Sequence, residues 1–277
     1  MTFAETIKAH RLELFGLLVV LGAVYHRIVP DMVQDWARYE NYSHGFLVPF
    51  IAGYLAWMRK SALTAAEVRP SDAGLAVIVM GLIALALGWL GTEYWTMRSS
   101  LVLILVGAVL FLFGWEVLKV LLVPLAYLLL MIPIPAVIYD AVAFPLKLFV
   151  TRVSVLSMKA LGVVVVQEGN ILMFPNITLE VADACSGLRS IMSLLALGVA
   201  YAFVLHPKIR DRVILVLSTL PIAIATNCLR VVATGVLAQH FGAAAAEGFF
   251  HEFAGLFVFA GAVAMFATLG TLLKRWS

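Results

Sequence analysis

Residues 73–91 read Ala-Gly-Leu-Ala-Val-Ile-Val-Met-Gly-Leu-Ile-Ala-Leu-Ala-Leu-Gly-Trp-Leu-Gly, a run without a single charge. At a helical rise of about 1.5 Å per residue, such a run matches the hydrocarbon core of a bilayer, about 30 Å thick. Similar runs recur along the 277-residue chain, which is 63% hydrophobic and 13% charged. Its mean hydropathy is +1.03. A soluble domain is nearer about one-half apolar and about one-quarter charged. The composition therefore predicts an all-α polytopic membrane protein. No stretch is long and polar enough for a separate soluble domain, so residues 1–277 read as a single integral membrane domain.

Eight transmembrane helices are expected, over 12–29, 44–58, 73–91, 99–115, 117–133, 187–205, 213–238 and 251–273. The first reads as an uncleaved helix, because no small-residue cleavage site follows it. Lys8, Arg11, Arg59, Lys60, Arg69, Lys119, Lys208, Arg210, Arg212, Lys274 and Arg275 fall in alternate connections, which the positive-inside bias puts in the cytoplasm together with both termini. The other connections are rich in acids (Asp31, Asp35, Glu40, Glu93, Asp140, Glu168, Glu180, Asp183 and Glu247) and belong outside. This arrangement closes only if 137–161 does not cross. Val142, Leu146, Phe149, Val153 and Leu156 share one helical face there, with Asp140, Lys147, Thr151 and Ser154 opposite, as in an amphipathic interfacial helix. A tilted crossing helix with snorkelling lysines is the alternative. Between 162 and 182 the pattern shortens to strand-like alternation, which predicts a small extracytoplasmic β-hairpin running into Cys185.

Three stretches carry chemistry: Ala-Cys185-Ser-Gly-Leu-Arg, Asn227-Cys-Leu-Arg230 and His251-Glu-Phe-Ala-Gly. Each sits at or near the same end of a different span, so the bilayer itself can bring them together. Cys185 opens the sixth span, where unpaired amides and the helix dipole favour thiolate, the nucleophilic form. Arg230 lies about eight residues inside the outer end of the seventh span, roughly 12 Å down. A cation at that depth is costly unless it pairs or lines a watery cavity. Asn227 precedes it by just under one turn and can hold it or a substrate carbonyl. His251 opens the eighth span and can shuttle a proton near neutral pH.

Several other chemistries are excluded on the letters. His251-Glu252 begins HExxH, but Gly255 stands where the second ligand should be, so the zincin pair is absent. Cys185 and Cys228 form neither a CxxC pair nor a zinc pattern. No cofactor or metal is implied. Ala184-Cys185-Ser186-Gly187 is similar to the GxSG of rhomboid-type serine proteases, with Ala184 in place of the first glycine; Ser186 is the weaker nucleophile candidate. Basic residues do not cluster with aromatics in any polar segment, which excludes a nucleic-acid partner. A transporter or channel, with Arg230 and His251 on a polar path, is a rival reading, as is a non-catalytic assembly factor for surface polysaccharide export. Ionisable residues are sparse in the other spans, and no repeated pair of interrupted helices supports transport.

With ACSGLRS around Cys185, NCLRVVATG around Arg230, HEFAG at His251, and Tyr42-Ser-His-Gly-Phe-Leu-Val-Pro ending in Trp57, the chain resembles the exosortases, bacterial relatives of the archaeosortases. The resemblance covers most of the chain; one departure is Asp183, where Glu is common. It implies a membrane cysteine protease/transpeptidase acting on exported proteins with a C-terminal sorting signal: a Pro-Glu-Pro motif (PEP-CTERM), a transmembrane helix and a basic tail. It also implies that Cys185 is the nucleophile, with Arg230 and His251 completing the catalytic set. His44, Arg189, Asn227 and Ser186 are the candidates for binding or orienting substrate.

Overall fold

A computed structural model describes residues 3–181, 188–242 and 249–276, with side chains for all of these except 4, 188–190 and 249–255. The helices, in chain order, are α1 (Phe3–Ala9), α2 (Arg11–Tyr25), α3 (Ile28–Arg38), α4 (Val48–Met58), α5 (Lys60–Ala65), α6 (Ala73–Leu90), α7 (Tyr94–Phe113), α8 (Trp115–Tyr127), α9 (Ala136–Ala160), α10 (Leu188–Leu205), α11 (Ile209–Phe241) and α12 (Phe249–Trp276). Two tight helical turns, Glu40–Phe46 and Leu128–Met131, flank α4 and α8. Of the described residues, 82% are helical. It divides into two compact units, Met1–Pro135 and Ala136–Ser277.

In the first unit, α6 is built opposite to a soluble helix. Its buried residues are Gly74, Gly81 and Gly88, one every second turn. Its outer surface is Leu75, Val79, Leu82, Ile83, Leu87 and Leu90. Helices in lipid gain nothing from hiding leucines and associate through small residues that let backbones approach closely. The glycine stripe faces α7, and a Cβ at Gly74 would collide with the backbone of Phe111. Backbone cannot swing aside like a side chain, so Gly74→Ala is expected to cost about 1–3 kcal/mol. A lowered unfolding midpoint of the detergent-solubilised protein checks this; an unchanged midpoint contradicts the packing.

The same unit ties its turns with polar contacts. Trp36 Nε1 donates to the Met131 carbonyl at 2.8 Å, and the Tyr42 hydroxyl donates to that of Ile134 at 3.2 Å. Arg98, 6% exposed, is paired with Asp35 at 2.6 Å, which offsets the cost of a guanidinium within an apolar helix. Glu93 caps α7 by accepting from the amides of Trp95 and Thr96. Burial pulls its carboxyl up, but the hydrogen bonds from Thr96 and Trp95 hold it below the ordinary range. Its contribution to stability is therefore present above the usual carboxylate pKa and lost as pH falls through the lowered one.

In the second unit, α9 runs beside α11 in the same direction. Ser154 Oγ donates to the Cys228 carbonyl at 3.3 Å, and one turn further on Met158 lies against Gly235. Helices α10 and α12 run the other way: Gly198 lies against both Thr219 and Phe266, and Tyr201 against Gly270. The 3-stranded antiparallel sheet has β1 (Val166–Glu168), β2 (Ile171–Met173) and β3 (Thr178–Glu180) in that order. Its inner face contributes Leu172 and joins Phe174 and Val181 in a core with Val150, Met158, Cys228 and Val231.

Three expectations can be compared with the structure in detail. Beyond the hairpin expected over 162–182, Thr178–Glu180 pairs with β2 as a third strand, because it alternates in step with it. Among the described residues, five helices are long and apolar enough to cross a membrane (α6, α7, α9, α11, and α12 from Leu256), six if α2 and α3, bent by 62°, make one span. The expected spans over 44–58 and 117–133 are shorter as helices, 11 and 13 residues in α4 and α8, because tight turns take up the rest of each apolar run. Finally, α9, expected to lie in the interface with a tilted crossing helix as the alternative, has the length and apolar character that the alternative requires. Its apolar residues Val142, Phe149 and Leu156 are exposed, while Thr151 and Ser154 are completely buried. The stripes are therefore mixed: Thr151 and Ser154 pack inward while Asp140 is exposed, and Leu146 and Val153 pack against the core.

Candidate active site

The site is best followed along α11. One buried stripe of this helix carries Thr219, Ala223, Thr226, Asn227, Arg230 and Val231. Asn227 is 2% and Arg230 8% exposed. The helix runs 11 residues past Arg230, to Phe241, so Arg230 stands about 17 Å from that end. Cys228 is a free, buried thiol. Its backbone carbonyl takes the Ser154 hydroxyl, and Thr226 Oγ1 donates to the Ile222 carbonyl at 2.8 Å. These hydroxyls serve the backbone; Asn227 and Arg230 are the other buried polar side chains of the stripe.

The layer of Gly198, Thr219 and Phe266 gives a common level from which to measure. For helices packed nearly parallel, Arg189 on α10 stands about 14 Å above that layer, Arg230 on α11 about 17 Å and the His251 backbone on α12 about 23 Å. All three lie toward one end, because α10 and α12 begin where α11 ends. Helix α9 ends there too, and the sheet follows it. Strand β3 ends at Glu180, five residues before Cys185 in the chain. Cys185 and Ser186 themselves lie outside the described residues, as do the side chains of Arg189 and His251.

His44 belongs to the first unit. Its Nε2 donates to the Leu130 carbonyl at 3.1 Å, in the turn just before α4. Sequence reasoning missed two features. Ser154 and Thr151 were assigned to a watery face, although small hydroxyls that can bond their own helix or a neighbour's carbonyl are equally at home between helices. The Asp35–Arg98 pair was also missed; an arginine in the first turns of an apolar helix, with an acid in the preceding connection, was the available signal.

Residues 36–268 match the family model described as transmembrane exosortase. The chain belongs to the transmembrane exosortase family. No curated protein and no solved structure matches it. This exosortase is thereby a multi-pass membrane enzyme of the sorting-transpeptidase class, acting on exported proteins. Among the described residues no group of His, Cys, Asp or Glu is arranged to hold a metal ion. The matched segment contains Cys185, Arg230 and His251.

Proposed function

We propose that this exosortase cleaves the C-terminal sorting signal of exported proteins through a Cys185 thioester, at the outer face of the bacterial inner membrane. The signal has a short motif of the PEP-CTERM kind, one transmembrane helix and a basic tail. Cys185 attacks the scissile carbonyl, Arg230 stabilises the oxyanion, and His251 protonates the departing amine. Water or an external amine then releases the acyl group. Asn227 and Arg189 orient the peptide on this reading, and Ser186 is a neighbour of the nucleophile.

The observation that supports this most is the direction of the four helices in the second unit. Because α9 and α11 are parallel to one another and antiparallel to α10 and α12, the chain entering Cys185, the Arg230 half of α11 and the start of α12 share one end. The charge bias of this unit favours that end being outside, without any count of crossings. Lys208, Arg210 and Arg212 flank the start of α11, and Lys274 and Arg275 close α12, whereas Glu168 and Glu180 lie in the sheet. With the N-terminus inside and α9 crossing, an even number of crossings must precede Ala136. An odd number among the bent α2–α3 pair, α4 and α8 then stays short of the far side.

Co-expression with a tailed substrate tests the reading. An acid quench is expected to trap a hydroxylamine-sensitive adduct between the substrate's new C-terminus and Cys185. Cleavage with no such adduct in the wild type or in slow variants, and persisting in Cys185→Ala, would leave the thiol without a role.

A further inference from the structure

In the first unit a cavity of about 410 Å³ opens between the start of α3 and the α6–α7 turn. Arg27, Asp31 and Arg98 supply its charge, with Trp89, Thr92 and Tyr94 on its walls. We propose that this cavity binds a phosphoethanolamine headgroup, the phosphate between Arg27 and Arg98 and the ammonium on Asp31.

Three observations carry this. First, Arg98 is buried and fixed: one guanidinium nitrogen holds Asp35 at 2.6 Å, and Tyr94 lies against the guanidinium at 5.6 Å. A guanidinium offers five N–H donors, so this anchor leaves others for a second anion. Second, Arg27 and Asp31 are one helical turn apart, where opposite charges ordinarily pair. Among the described residues no ion pair joins them, and both line the cavity. Two guanidiniums and one carboxylate facing a shared space call for a ligand with a strong anionic pole and a weaker cationic one. Third, the walls suit the membrane interface. Trp89 and Tyr94 are well exposed, 58% and 59%, and beside them Leu87 and Leu90 of α6 are open to lipid. Tyr and Trp collect where hydrocarbon meets headgroups. A diacyl source of the headgroup therefore fits better than a free phosphate ester.

The test uses the whole protein, purified in detergent, with lipid added in mixed micelles and thermal unfolding as the readout. Phosphatidylethanolamine should raise the unfolding midpoint at lower concentrations than phosphatidylglycerol or phosphatidylcholine. Arg27→Gln should raise the half-saturating concentration about tenfold, the loss of one charge-assisted hydrogen bond. Asp31→Asn should abolish the preference for ethanolamine over glycerol while keeping the response to phosphate. Both residues are exposed, so neither change threatens the fold. Water-soluble O-phosphoethanolamine distinguishes the sources. An equal effect of it would support the site with a free ester as ligand, and a much weaker effect supports the lipid. Equal stabilisation by the three lipids, an unchanged half-saturating concentration in Arg27→Gln, or an ethanolamine preference that survives in Asp31→Asn overturns the proposal. None of these readouts involves peptide cleavage, so the result is independent of the Cys185 chemistry.

Discussion

Cys185→Ala should leave a tailed substrate uncut while the protein still inserts and folds, a loss on the order of 10⁴-fold or more, as when a covalent nucleophile that works in concert with its partners is removed. Cys185→Ser should fail nearly as completely. A serine hydroxyl in the same place is far less acidic than a thiol, and the local field that favours a thiolate does not suffice to make an alkoxide. Ser186→Ala, by contrast, should retain most turnover, because Ser186 is only a neighbour in this account. Pulse–chase of the substrate, with the enzyme's level measured in membranes, reads all three variants. If Cys185→Ala processes at the normal rate and Ser186→Ala does not, the nucleophile is the serine.

Arg230→Lys should be the second severe variant, with turnover falling on the order of 10²–10³-fold, the cost of one preorganised oxyanion donor. The charge is retained and the residue is 8% exposed on a well-packed helix, so insertion and stability should change little. What is lost is geometry: a planar fork that can meet an oxyanion and hold a second partner, which a rotating ammonium cannot reproduce. The ratio of the two effects is diagnostic. A purely structural arginine would give Arg230→Lys near-normal turnover in the protein that survives, with a lowered unfolding midpoint. Parallel measurement of midpoint and single-turnover rate separates the cases.

The long crossing helices were legible in the sequence because length alone defines them: 73–91 became α6 within a residue, and 213–238 lies within α11. The burial of Arg230 and Asn227 was legible for a different reason: both are polar residues well inside an apolar run, and the structure buries them at 8% and 2% exposed. The orientation of α9 was not legible. Periodicity shows that Val142, Phe149 and Leu156 share a face, but not whether that face meets a protein core or lipid. The packing of Ser154 on Cys228 and of Met158 on Gly235 shows which residues turn inward. Helices α4 and α8 were overestimated because hydropathy is blind to backbone. The apolar residues Leu128–Met131 read as one more helical turn of a span, whereas they form a tight turn that leaves the Leu130 and Met131 carbonyls free to accept from His44 and Trp36. The third strand was present in the alternation of Ile177, Leu179 and Val181, and escaped because a hairpin suffices to explain so short a stretch.

The account stands or falls on the side of the membrane from which the thiol can be reached. In a Cys228→Ala background Cys185 is the sole thiol, and a membrane-impermeant maleimide can be applied to intact spheroplasts and to inverted vesicles. The account predicts labelling of Cys185 in spheroplasts and protection in inverted vesicles. Labelling from the cytoplasmic side alone would contradict it.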